Sequence, residues 1–213
     1  MKPRRLKLND AQQRWVRDWW RALQPRQAED PPLPGGLWAM GRGERAQLRR
    51  CKDAEELLSQ AATLLLAERL IALDDNAGFL SDQPISYERV AWVAGVLATI
   101  KSDAQDNKSL AWHLGHGADN ERPRMSELRF KTMQRSSTLH DLFRHWRRAV
   151  QLAEGSADVA RLADDLLNWQ MELGQSALRA SDGIKFHWAC DYYLSKREQA
   201  AAVEPVSNKE LTA

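Results

Sequence analysis

Cysteine is almost absent: Cys51 and Cys190 are the two in 213 residues, far apart and outside any partner motif. A disulfide framework is therefore not expected, and both side chains read as reduced thiols. Long apolar runs are missing as well. Nothing approaches the roughly 20 apolar residues that a bilayer-spanning helix needs. The basic stretch Met1-Lys2-Pro3-Arg4-Arg5-Leu6-Lys7 is followed by no apolar segment, so it reads as no signal peptide, and the cytoplasm is the expected location. Alternating β-branched runs bounded by turn residues are lacking, which disfavours strands.

The motifs of common catalysts are missing too. There is no Gly-x-x-x-x-Gly-Lys-Ser/Thr phosphate loop, no Gly-x-Ser-x-Gly elbow and no dinucleotide fingerprint. Zinc sites want paired ligands at defined spacing. The sequence has neither Cys-x-x-Cys nor His-Glu-x-x-His, and His113, His116, His140 and His145 read as structural or surface residues. Asp74-Asp75 and Asp164-Asp165 are adjacent carboxylates. On a helix such neighbours point about 100° apart, so they make no shared acid–base pair, and one of Asp164 and Asp165 is expected to face solvent. A metal-dependent nuclease would need several converging carboxylates. No enzyme, cofactor or metal is expected.

What is present is core-forming and charged material. Hydrophobic residues make up 43% of the chain, and nine are tryptophan, most of them expected as core anchors. The net charge of +2 conceals blocks of opposite sign. Residues 1–52 hold 13 Lys/Arg against 5 Asp/Glu, whereas 53–121 hold 4 against 12. Residues 122–148 return to 8 against 2, and 149–213 hold 6 against 10. A basic block attracts phosphate locally even when the whole chain is near neutral.

The helical period predicts an all-α fold of two small helical bundles. A first helix starts at Asn9 or Asp10, carries Val16, Trp19, Trp20 and Leu23 on one face, and ends before Pro25. Four prolines and Gly35-Gly36 make 25–36 a loop. Helices follow over 43–51, from Asp53 through Leu73, and from Ser86 to about Lys101. The polar stretch 102–108 reads as a linker between an N-terminal domain (1–101) and a C-terminal domain (109–197). Further helices are expected over 109–114, 124–135, 139–153, 157–171 and 184–197, with 198–213 as a disordered tail.

Two basic clusters stand out. In the first, Arg45, Arg49 and Lys52 fall at helical spacing as a cationic stripe, with Arg50 beside them and Glu44 as the one acid within 43–52. The second comprises Arg122, Arg124, Arg129, Lys131 and Arg135, then Arg144, Arg147 and Arg148, interrupted by Glu127 and Asp141 alone. Two adjacent helices with basic outer faces would wall a groove. Arginine forks match phosphate oxygens bidentately, though a solvated charged face is the other outcome of such a run. Contacts of this kind carry no base sequence information. Trp20, Trp38 and Trp112 have ambiguous faces and could stack bases or fill core.

These residues resemble those of the small subunit of type I-E CRISPR Cascade, the CasB family. The resemblance rests on Gly43-x-Arg45-Ala46-x-Leu48-Arg49-Arg50 after a tryptophan-bearing helix. In order follow Ser109-Leu110-Ala111-Trp112-His113-Leu114-Gly115, Asn120-Glu121-Arg122, Leu128-Arg129-Phe130, Arg144-His145-Trp146-Arg147-Arg148, Asp165-Leu166-Leu167-Asn168-Trp169 and Phe186 to Leu194. It spans roughly Trp15 to Leu194. It implies an all-α, non-catalytic subunit with basic faces along a nucleic-acid path. Two copies are implied, packed against the Cascade backbone subunits and the large subunit. The implied role is antiviral: stabilising the R-loop by holding displaced non-target DNA, with guide RNA and target strand as further backbones. Arg49, Arg50, Arg129, Arg147 and Arg148 match the family's basic positions, and Arg135 lies close to one. Within 177–185 this chain offers Arg179 and Lys185. An independent helical DNA-binding regulator, reading duplex sequence with a recognition helix, is the alternative.

Overall fold

The structure, a computed structural model, describes residues 7–26, 29–74, 85–117, 122–174 and 179–203, with backbone alone over 195–203. Ten α-helices dominate these residues. The polar residues that start them are those that local chemistry selects. Helix α1 (Asp10–Ala22) opens on a reciprocal cap: the Gln12 amide donates to the Asn9 side chain and the Asn9 amide to the Gln12 side chain, both at 2.9 Å. Its buried face carries Val16, Trp19 and Trp20, with Leu23 just beyond. The indoles also bond backbone. Trp19 Nε1 donates to the Ala62 carbonyl at 2.7 Å and Trp20 Nε1 to that of Ile100 at 3.3 Å.

Helix α2 spans Arg42–Arg50. One helix is expected from Asp53 to Leu73, but the structure has two, α3 (Ala54–Leu58) and α4 (Ala61–Ala72). The break lies at Ser59 and Gln60, whose side chains both bond the Glu56 carbonyl, at 2.7 and 3.1 Å. Such short polar side chains compete with the helical ladder. Helix α5 (Tyr87–Leu97), capped by Ser86, is the buried centre, with every residue from Val90 to Leu97 inside. It ends four residues earlier than its pattern suggests. Gly95 lets neighbours close on it: a Cβ there would lie 2.8 Å from the Phe143 ring and 2.9 Å from Leu57.

The second half carries α6 (Leu110–Gly115), α7 (Glu127–Gln134), α8 (Leu139–Leu152), α9 (Val159–Gly174), a 3-10 turn (Ala180–Asp182) and α10 (Ile184–Val203). Helix α10 thus extends six residues beyond the expected end at 197, and the rest of the expected tail, 204–213, lies outside the described residues. Residues 75–84, between α4 and α5, lie outside them too.

One hydrophobic cluster runs through both halves, from Leu8 to Tyr192. The stretch 102–108 is docked rather than extended in solvent. Ser102–Asp103 (β1) pairs in parallel with Ser156–Ala157 (β2), a two-residue ladder that the sequence pattern does not signal. Asp103 accepts the Val159 amide at 2.9 Å, and Asp158 accepts the Asn107 amide at 2.9 Å. Arg17 of α1 bridges both acids, 3.4 Å from Asp158 and 3.7 Å from Asp103. Burial pushes the Asp103 carboxyl above the usual range, against the downward pull of the Val159 amide.

Asp164 and Asp165 depart from expectation, because both are buried. Asp164 accepts the Lys7 and Leu8 amides at 2.7 and 2.8 Å. Asp165 accepts Trp188 Nε1 at 2.8 Å and lies 3.4 Å from the Arg161 guanidinium. Buried carboxylates persist when fully bonded in this way.

Candidate nucleic-acid interface

The first basic cluster and part of the second meet at the C-terminal end of α2. That end presents carbonyls without helical partners. Arg147, reaching across from α8, donates Nη1 to the Cys51 carbonyl at 2.9 Å and Nη2 to the Arg49 carbonyl. Its guanidinium lies 5.0 Å from the Phe143 ring centroid. A cation at a helix C-terminus also complements the helix dipole. Burial, and then the nearby Arg49, hold the Arg147 guanidinium below its usual range.

Arg45 does similar service on the inner side of α2. It donates to the carbonyls of Ala98 at 3.0 Å and Ile100 at 2.6 Å, and to Gln24 at 2.8 Å. It therefore closes the C-terminal end of α5. Burial, then Arg49, lower its pKa. The expected stripe of Arg45, Arg49 and Lys52 does not form. Arg45 turns inward, and α2 ends at Arg50, so exposed Lys52 sits past the helix, its amide bonded to Glu56 at 2.7 Å.

Between α2 and α8 lies an open cleft of about 620 Å³, lined by Arg49, Arg50, Lys101, Arg147, Gln151 and Glu154 among others. Arg49 and Arg50 are exposed there. Lys101 is the cation that sequence reasoning missed. It lies in the acidic block, and a tertiary contact delivers it. The turn after α8 takes Glu154 and Gly155 to φ of 61° and 83°, and the Gly155 carbonyl then accepts the Lys101 amide at 2.8 Å. The Lys101 side chain lies across Gly155, where a Cβ would come within 2.8 Å of its Cγ. Both the left-handed backbone and this close approach call for glycine.

The other expected residues distribute unevenly. Arg124 is half-buried and 3.7 Å from Glu154, which tethers it to the cleft's edge. Arg148 is exposed and bonds Gln151, a cleft residue, at 3.2 Å. Arg144 is exposed one turn earlier on α8. Arg129, Lys131 and Arg135 are exposed on or just after α7, and no α7 residue lines the cleft. The groove wall expected from α7 and α8 is thus built by α2, residues 99–101 and α8 instead. Lys131 is paired with Glu127 at 2.6 Å, which raises its pKa. Arg122 is exposed before α7, Arg179 precedes the 3-10 turn, and half-buried Lys185 lies in the first turn of α10. None of these last three lines the cleft.

The aromatic candidates separate clearly. Trp20 is buried. Trp112 is sandwiched: the His116 ring stacks at 3.9 Å, and Lys108 Nζ lies 3.4 Å from its centroid. Trp38 is 69% exposed. His113 lies 3.3 Å from Asp106, and burial lowers its pKa against the pull of that acid. Among the described residues no group of three or more His, Cys, Asp or Glu could hold a metal ion. Among them, too, no helix is long and apolar enough to cross a membrane.

Known proteins place this arrangement. CasB from Thermus thermophilus superimposes with a TM-score of 0.53 at 25% identity, covering 85% of this chain and 97% of that one. A CRISPR-associated protein of the Cse2 family, also from Thermus thermophilus, gives 0.51 at 25% identity, with the same coverage. No curated protein matches the sequence. Residues 44–193 match the CRISPR-associated protein Cse2 family, a span that holds α8, most of α2 and every cation of the cleft. On this match over most of its length, and on the shared all-helical fold, the chain belongs to the Cse2 family of CRISPR-associated proteins, the family of CasB.

Proposed function

We propose that this chain is a non-catalytic subunit of a type I-E CRISPR surveillance complex, and that its α2–α8 cleft holds nucleic-acid backbone within the R-loop. The observation that carries the reading is the convergence of Arg49, Arg50, Lys101 and Arg147 in one open cleft. Arg147 fixes the end of α2, so Arg49 and Arg50 are presented from a braced helix terminus. A preorganised cluster loses less freedom on binding than scattered side chains do.

The displaced non-target strand is the backbone this cleft suits. R-loop formation exchanges one duplex for another of similar stability, so a few phosphate contacts can tip it. Such contacts are blind to sequence and weaken with salt. Arg148 and Arg124 extend the basic rim, and Arg122, Arg129, Arg135, Arg144, Arg179 and Lys185 are candidate contacts to guide RNA or target strand. The acidic segments suit contacts with neighbouring subunits, including a second copy of this chain. The cytoplasm is the compartment this role requires.

The test is a gel-shift series on the assembled complex with Arg49→Glu and Arg50→Glu combined. Target-DNA affinity falls at moderate salt, and the fold, followed by thermal melting, stays intact. Unchanged affinity would sink the assignment. Preference of the isolated protein for one duplex sequence would point to a regulator instead.

A further inference from the structure

Trp38 is the sequence feature that the cleft leaves unexplained. It is 69% exposed, yet Leu37 and Met40 beside it are buried. Backbone hydrogen bonds close its turn, from the Leu37 amide to the Pro34 carbonyl at 3.2 Å and from the Met40 amide to the Leu37 carbonyl at 3.1 Å. Arg26 Nη2 then clamps the Trp38 and Met40 carbonyls at 2.9 and 3.0 Å. The indole is held outward by an ordered turn with a guanidinium against its own backbone.

A single exposed apolar side chain needs no special explanation. The setting of this one is what distinguishes it. The turn leads directly into α2, whose first residue is exposed Arg42. Arg42 and Arg49, seven residues apart, fall on one face of the helix, separated by a rise of about 10 Å. One cation, Arg42, therefore stands at the Trp38 end of α2 and a second, Arg49, at the cleft end. Sites for single-stranded nucleic acid combine these two parts, a basic track for phosphates and an aromatic face for bases.

We propose that Trp38 is a base-stacking platform for single-stranded nucleic acid, receiving a base of the strand that Arg49 and Arg42 lead out of the cleft. This rests on the reading of the cleft given above. Trp38 precedes the residues matched by the family, 44–193, so family membership does not supply it.

The test titrates the full-length protein with two labelled strands of equal length and charge, oligothymidine and its abasic counterpart. Wild type binds oligothymidine about tenfold more tightly, in keeping with one stacked base. Trp38→Ala abolishes that preference and leaves the abasic affinity, the salt dependence and the melting temperature unchanged. Trp38→Tyr restores most of the preference. Arg49→Glu with Arg50→Glu weakens binding to both strands and flattens the salt dependence, while the preference persists. If that double variant binds as wild type, the cleft reading fails, and the Trp38 comparison still decides stacking by itself. Equal wild-type affinity for the two strands overturns the proposal, as does a preference that survives Trp38→Ala. Weakened assembly with neighbouring subunits in Trp38→Ala, with the preference intact, assigns the ring to protein contact and overturns it as well.

Discussion

The end of α2 and the surface of α7 are both rich in arginine, yet they are built differently. At α2 the cations interlock with backbone. Arg147 bonds the terminal carbonyls of the helix, Arg45 bonds those at the end of α5, and Arg49, Arg50 and Lys101 are left facing an open cleft. On α7 and at its end, Arg129 and Arg135 stand exposed and Lys131 is paired with Glu127. The lesson concerns convergence. Positive charge along one helix is diluted by solvent and neighbouring acids, since exposed pairs contribute little. Charge gathered where two helices and a turn meet presents several cations to one open space.

The largest effect should follow from breaking the convergent side. Arg49→Glu with Arg50→Glu reverses two charges in the cleft, and a loss of about tenfold or more in target-DNA affinity is expected at moderate salt. The same reversal at Arg129 and Arg135 should produce a much smaller loss. Comparable losses in gel shifts would erase the distinction between the two regions.

Arg147→Ala comes next, because it removes a brace as well as a charge. Losing hydrogen bonds from a charged donor should cost about 1–3 kcal/mol in denaturant unfolding. Binding should fall with it, since Arg49 and Arg50 lose their fixed origin. Arg144→Ala, one turn earlier and exposed, should leave unfolding unchanged.

Lys101→Ala tests the cation that only the fold delivers. One lost phosphate contact should reduce the slope of log affinity against log salt by about 0.7 for single strands. An unchanged slope would place Lys101 outside the phosphate path.

The smallest expected effect is a pH response on the α7 side. The Tyr192 hydroxyl donates to the Met125 carbonyl at 2.7 Å, and its ring stacks on Phe130 of α7 at 4.2 Å. Burial, then Tyr193 and Glu127, push Tyr192 up to about 12 from its ordinary 10.0. The folded state thus keeps a proton that the unfolded state releases at lower pH. Stability should be full below about pH 10 and should decline as pH rises from about 10 toward 12. Melting curves would check this, and Tyr192→Phe should remove that part of the decline.

Much of the fold was legible because helix starts are local events. Asn9, Asp53, Ser86, Ser109 and Thr138 are short polar residues placed just before helical runs, and each caps a helix. The buried stripe of α1 was legible for the same reason. Less visible was the break at Ser59-Gln60, where two side chains compete for one carbonyl. The candidate site was half legible. Arg49, Arg50 and Arg147 were named from spacing and resemblance, and all three line the cleft. Lys101 was hidden in an acidic block. Arg45 looked like its neighbours until its bonds to Ala98 and Ile100 placed it inside.

The sequence by itself therefore determined the helices, their caps and the sign of charge each carries, because these depend on residues within a turn or two of one another. The tertiary structure alone decided which of those charges share a space. Arg147 meets Arg49 across 98 positions, and Lys101 reaches the cleft through Gly155. Those contacts depend on how α2, α5 and α8 close around a common core, which no local pattern encodes.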